Sequence, residues 1–254
     1  MTREFGDPYK YPGTDTLRNK PGIRDADALQ VYEYEQAASR TKELRSQPVQ
    51  GRFDLPHMEA IHGHLFQDVY EWAGKTRTVN IAKGNSAFAQ PAFVESEGKR
   101  LGAALVAENH LRGLDKPRFV ERLAEHFADW NALHPFREGN GRTTREFFHE
   151  LAKQAGYQID QRVIDQDKAR WNNACALSFH GRMGPLKEIF NEAVTPLDRA
   201  KEISSVRPAA SVQVPKASSG QLSAILRIAH ERGISPQTPG PGPNTPAKDR
   251  GPSR

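Results

Sequence analysis

Apolar residues recur at every third or fourth position through most of residues 27–195, the spacing of helices that bury one face. Asp27–Leu44 carries Leu29, Tyr32, Ala37 and Leu44 as inward positions. Leu55–Trp72 carries Met58, Ile61, Leu65, Val69 and Trp72. Phe93–Leu111 gives a weaker helix interrupted by Gly98 and Gly102. Asp115 followed by Pro117 is a helix-start signal, and the helix it opens turns Phe119, Leu123, Phe127 and Trp130 inward. Thr143–Ala155 predicts a further helix capped by Gly156, and two or three short helices fill 163–195. There are no repeats. The prediction is an all-α fold.

One segment departs from the helical period. Between Thr78 and Phe88, Val79 and Ile81 alternate with polar residues before a Lys83-Gly84-Asn85 turn, which is a hairpin signal. A small hairpin on a helical body leaves a free backbone edge unless something pairs with it. On this pattern alone a hairpin and an ordinary surface loop fit equally.

The periodicity ends near residue 200. Residues 201–254 contain eight of the 18 prolines, and their Pro/Gly-rich end offers too little apolar surface to offset the entropy of ordering. The expectation is one domain over 1–200 and a mostly disordered tail over 201–254, with a possible short helix at 220–232. The tail also changes the meaning of the charge. It holds eight Lys/Arg against three Asp/Glu, which is the chain's whole net charge of +5, and residues 1–200 hold 28 of each sign. A basic tail beside a neutral body argues against a nucleic-acid-binding body. A helical nucleic-acid module using the tail is the alternative from another functional class; it predicts salt-sensitive binding without ATP. No run approaches the roughly 20 apolar residues of a membrane helix, the opening residues lack the apolar run of a secretory signal, and Cys175 is the only cysteine. Those features predict a cytoplasmic protein without disulfides.

The chemistry concentrates in His134-Pro-Phe-Arg-Glu-Gly-Asn-Gly-Arg-Thr-Thr-Arg145. Pro135 disfavours helical geometry at His134 and ends the preceding helix. Gly139 and Gly141 let backbone N–H groups turn inward, and the helix beginning near Gly141 adds its positive dipole end, a nest suited to phosphate. Arg142 and Arg145, three residues apart, share a face and can fork onto phosphate oxygens. Glu138 sets a carboxylate beside this cradle, as sites do that share a divalent cation, most often Mg²⁺, with phosphates. His134 is the one group in the stretch that exchanges a proton near neutral pH. Together they read as a nucleotide-phosphate site with a general base at its edge.

His134, Phe136, Glu138, Gly139, Asn140, Gly141, Arg142 and Arg145 resemble, without departure, the signature of the Fic family, and the resemblance extends over about residues 8–195. It implies a Fic-type helical domain and transfer of AMP from ATP to a Ser, Thr or Tyr hydroxyl of a target protein. His134 would be the base and Glu138 would hold Mg²⁺. The Gly139–Gly141 backbone with Asn140 would bind the α- and β-phosphates, Arg142 would stabilise charge there, and Arg145 would hold the γ-phosphate. Phe136 would anchor the loop in the core. Val79, Asn80, Ile81, Lys83 and Gly84 would form the target-docking flap. The helix around Trp171-Asn-Asn-Ala-Cys would help shape the adenosine pocket.

Two positions refine the resemblance. Phosphate-transferring relatives of the Doc type have Lys where this chain has Gly141, which favours AMP transfer. Self-inhibited relatives carry Ser/Thr-x-x-x-Glu-Gly/Asn. Here Glu precedes Gly or Asn only at Glu97, Glu108 and Glu138, and four residues before each of these glutamates lie Phe93, Ala104 and His134, none of them Ser or Thr. The expectation is therefore a toxin held by a small separate antitoxin that supplies an inhibitory Glu helix. Type II topoisomerase subunits are the first targets to test. The alternative biology is an effector secreted into a host cell.

Overall fold

The computed structural model describes residues 7–83 and 86–197; Gly84, Asn85 and the tail, with its 220–232 segment, lie outside them. Eight α-helices are present among the described residues: α1 (Ala26–Ser46), α2 (Leu55–Phe66), α3 (Val94–Ala107), α4 (Lys116–Leu133), α5 (Asn140–Ala155), α6 (Gln161–Asp165), α7 (Lys168–Phe179) and α8 (Gly184–Ala193). Two short antiparallel pairs accompany them, β1 (Ala82–Lys83) with β2 (Ser86–Ala87) and β3 (Tyr157–Ile159) with β4 (Val194–Pro196). The helical body with a small hairpin is the predicted fold class.

Local chemistry sets the boundaries. The carboxylates of Asp25, Asp54, Asp115 and Asp167 accept the backbone N–H three residues on and so cap α1, α2, α4 and α7. Helix α4 runs through the middle, packing on α3, α5, α7 and α8, while α2 joins α1 to α5. Phe119, Leu123 and Trp130 of α4 are fully buried, with Phe147 of α5 and Leu65 and Phe66 of α2 beside them in one core.

Several boundaries differ from the sequence expectation. Helix α2 stops at Phe66, short of Trp72, because the Phe66 carbonyl accepts from Val69 and Tyr70 and turns the chain, while the Val69 carbonyl accepts from Lys20. Gly98 and Gly102 do not interrupt α3. They let it press against the start of α2, where a Cβ would meet Leu55 at 2.8 Å and Asp54 at 3.0 Å. Helix α5 begins at Asn140, before Thr143, with Gly139 (φ 80°) and Gly156 (φ 94°) closing its two ends. The β3–β4 pair was not legible as strands; it ties the end of α5 to the end of α8. The 78–88 hairpin is shorter than expected, with Val79 and Asn80 before its first strand.

Candidate active site

The segment joining α4 to α5 holds His134 and Glu138, and the first two turns of α5 hold Asn140, Arg142 and Arg145. His134 has left α4 at φ 46°, ψ 62°, outside right-handed helical geometry as its Pro135 neighbour requires. Phe136 is fully buried, its ring stacked on His62 of α2 at 3.9 Å between centroids. The Asn140 side chain closes the loop on itself, its Oδ1 accepting from the Phe136 N–H and its Nδ2 donating to the Phe136 carbonyl, each at 2.8 Å. The Asn140 amide is thus spent on the loop; it offers a ligand its backbone, not its side chain.

His62 supports the same loop from below. Its Nδ1 accepts from the Gly74 N–H at 2.8 Å, which leaves Nε2 to donate to the Glu138 carbonyl at 3.1 Å. Burial pushes its pKa down to about 3, so this single neutral tautomer persists.

At the start of α5 no side chain caps the helix, so the N–H groups of its first turn face the adjoining cleft. Only Gly139 needs glycine's conformation; at Gly141 a Cβ would meet nothing within 4 Å. Arg142 lies over the Phe66 ring at 4.8 Å and donates to Glu33 of α1 at 2.5 Å. The other Glu33 oxygen accepts from the Tyr70 hydroxyl, so this buried carboxylate fixes the guanidinium. Arg145 pairs with Asp165, at the end of α6, at 2.9 Å. Oε1 of Glu138 accepts from the Gly139 N–H at 2.8 Å, and its side chain is 47% exposed.

The imidazole of His134 lies flat against Phe88, with 3.7 Å between ring centroids and 10° between planes. Its Nδ1 donates to the Asn131 carbonyl at 2.9 Å, so Nε2 carries the free lone pair. Burial pushes its pKa down to about 4, despite the opposing effect of that hydrogen bond. At neutral pH the ring is therefore an unprotonated acceptor, as a general base must be.

These groups line one cleft of about 1050 Å³. His134, Glu138, Gly139, Asn140, Gly141, Arg142 and Arg145 meet there with Ile81 and Lys83 of the hairpin and with Trp171, Asn172 and Cys175 of α7. Burial pushes the Cys175 thiol up to about 12. Val79 and Asn80 do not reach the cleft lining, and the Val79 carbonyl is taken by Arg77. Among the described residues no cluster of three His, Cys, Asp or Glu could hold a metal. Glu138 still suits a hard cation that takes its remaining ligands from phosphate and water, as Mg²⁺ does.

Sequence reasoning missed Glu33, His62, Arg77 and Asp165. Glu33 did leave a trace: it interrupts the inward stripe between Leu29 and Ala37 with a charge, and a buried charge needs a partner.

Residues 52–152 match the Fic/DOC family. The chain is 41% identical over 199 residues to the "Probable protein adenylyltransferase Fic" of Escherichia coli K12, spanning 77% of this chain and 97% of that protein. The chain belongs to the Fic/DOC family. Its Fic domain is also 45% identical over 190 residues to the protein adenylyltransferase VbhT of Bartonella schoenbuchensis, covering 74% of this chain but only 39% of VbhT. The Fic fold recurs in the effector BepC of Bartonella tribocorum with bound AMPPNP (TM-score 0.69, 31% identity, 74% of this chain and 97% of that one). It recurs again in the N-terminal Fic domain of a Bep effector of Bartonella quintana with bound ADP (TM-score 0.71, 32% identity, 76% and 97%). No helix among the described residues is long and apolar enough to cross a membrane.

Proposed function

We infer that this chain is a protein adenylyltransferase that moves AMP from ATP onto a Ser, Thr or Tyr hydroxyl of another protein. One observation carries the reading: the free Nε2 side of a neutral imidazole and an uncapped helix N-terminus bearing two arginines face the same cleft. His134 takes the proton from the target hydroxyl. The hydroxyl oxygen attacks the α-phosphorus, and pyrophosphate leaves. The first-turn N–H groups of α5 and Arg142 hold the α- and β-phosphates, and Arg145 holds the γ-phosphate. Charge stabilisation and positioning of this kind supply most of the acceleration in such transfers. Glu138 would hold Mg²⁺ together with the phosphates, and the ion would supply neutralisation of their charge.

The hairpin receives the target. Ile81 accepts from the Phe88 N–H, and antiparallel alternation then leaves the N–H and C=O of Ala82 on the outer edge, where a target segment adds as a strand. Gly141 keeps the cradle open where Doc-type relatives carry Lys, which favours AMP over phosphate transfer. A cytoplasmic toxin restrained by a separate antitoxin fits a chain without a Ser/Thr-x-x-x-Glu-Gly/Asn segment. Delivery into a host cell is the second setting, favoured by the likeness to translocated Bartonella effectors. Type II topoisomerase subunits are the first targets to assay. Incubation with α-labelled and, separately, γ-labelled ATP in bacterial lysate tests the chemistry: label must reach a protein band from the α-position alone. Label from the γ-position would mean phosphate transfer and overturn the assignment.

A further inference from the structure

Arg77 lies outside the motif, between α2 and the hairpin, and the residue is 2% exposed. Among the described residues no carboxylate pairs with it, and a buried charge without such a partner is costly unless dipoles replace the counter-ion. Four carbonyl oxygens do so. Nε donates to His134 at 2.8 Å, Nη1 to Val79 at 2.8 Å, and Nη2 to Ala89 and, at 3.3 Å, to Leu133. The Arg77 backbone N–H adds a bond to the Pro135 carbonyl at 2.8 Å.

The four acceptors fall into two groups. Val79 and Ala89 flank the hairpin, one before β1 and one after β2. Leu133 and His134 end α4, where carbonyls left without helical partners gather at the negative end of the dipole. A single side chain thus bridges both stems of the flap to the backbone that carries the base. Two smaller contacts run in parallel: the Ala89 N–H donates to the Ala132 carbonyl at 3.3 Å, and Phe88 rests on the imidazole.

We propose that Arg77 is a positioning residue that locks the target-docking flap to His134, so that the docked hydroxyl and its base are aligned as one unit. The inference rests on the roles given above to the hairpin and to His134. Arg77 does not line the cleft; it acts through the two elements it joins. Lysine cannot stand in for it, because a point ammonium does not span four separated acceptors as a planar fork does.

The test compares the wild-type chain with Arg77→Lys and Arg77→Met. The readouts are ATP affinity by calorimetry, AMP transfer to target, and amide exchange at residues 78–89. Both variants are expected to keep ATP affinity, to lose on the order of 10²-fold in transfer, the cost of an ångström of misalignment, and to exchange faster in the flap. Where Arg77→Met fails to fold, Arg77→Lys, which keeps the charge, carries the test. Wild-type transfer and exchange in Arg77→Lys would overturn the proposal. So would parallel loss of ATP affinity and transfer, since Arg77 would then support the body as a whole. If the wild-type chain transfers no AMP, the functional reading fails on its own, and flap exchange still decides whether Arg77 locks the hairpin.

Discussion

Replacing each motif glycine by alanine should separate folding from ligand binding. At Gly139 (φ 80°) a Cβ would stand 2.4 Å from Phe66 Cε2 and Cζ, and Phe66 is fully buried with no room to retreat. The left-handed backbone costs alanine about 1–2 kcal/mol, and overpacking adds about 1–3 kcal/mol. Gly139→Ala should therefore destabilise the domain by about 2–5 kcal/mol, a fall of roughly 4–20 °C in Tm for a body of this size. Gly141 sits in the first turn of α5 with an ordinary backbone and open space before it. Alanine there should stabilise by about 0.4–1 kcal/mol through the unfolded state. Its methyl nonetheless enters the phosphate cradle. Loss of one charge-assisted hydrogen bond, about 1.5–3 kcal/mol, weakens ATP binding roughly 10–150-fold. Urea denaturation and titration calorimetry on both variants decide the matter. A Gly141→Ala protein that binds ATP as the wild type does, or that is the less stable of the two, refutes the reasoning.

His134→Ala should lower AMP transfer by roughly 10²–10⁴-fold and leave ATP affinity intact, measured by labelled transfer and calorimetry. The His134 ring should titrate near 4 by NMR, because burial favours the neutral form. The unfolded chain takes up that proton near 6.5, so the contribution to stability is full above pH 6.5 and is lost as pH falls toward 4. Phe88→Ala should raise the midpoint by uncovering the ring, and a wild-type midpoint at 6.5 contradicts the burial argument. Ala82→Pro should remove an outward N–H from the flap and reduce target labelling while ATP affinity stands; equal loss of both makes the hairpin a structural element only. Excess EDTA should silence transfer, and activity that survives chelation removes Glu138 from a metal role.

The motif was readable because its parts interact locally. Pro135, Gly139, Gly141 and the two arginines act within a dozen residues, and loop–helix chemistry follows from their order. Their supports were not readable. Glu33 reaches Arg142 from α1, His62 reaches Glu138 from α2, and Arg77 reaches His134 across the fold; such pairings depend on tertiary distances that no short-range pattern encodes. The apolar stripe through Trp72 misplaced the end of α2 because Val69 and Tyr70 are buried on turns as deeply as they would be on a helix. The β3 and β4 strands, three residues each, are too short for alternation to register.

The Asn140 side chain that closes the loop on Phe136 has a kinetic consequence. A loop already fastened at both ends loses little freedom when a nucleotide arrives, so the ordering cost of capture is small. ATP can be taken up at the pace of encounter rather than of rearrangement. Under the proposed function the slow, selective step would then fall to the other substrate, and throughput would follow how often a protein strand comes to rest on the hairpin.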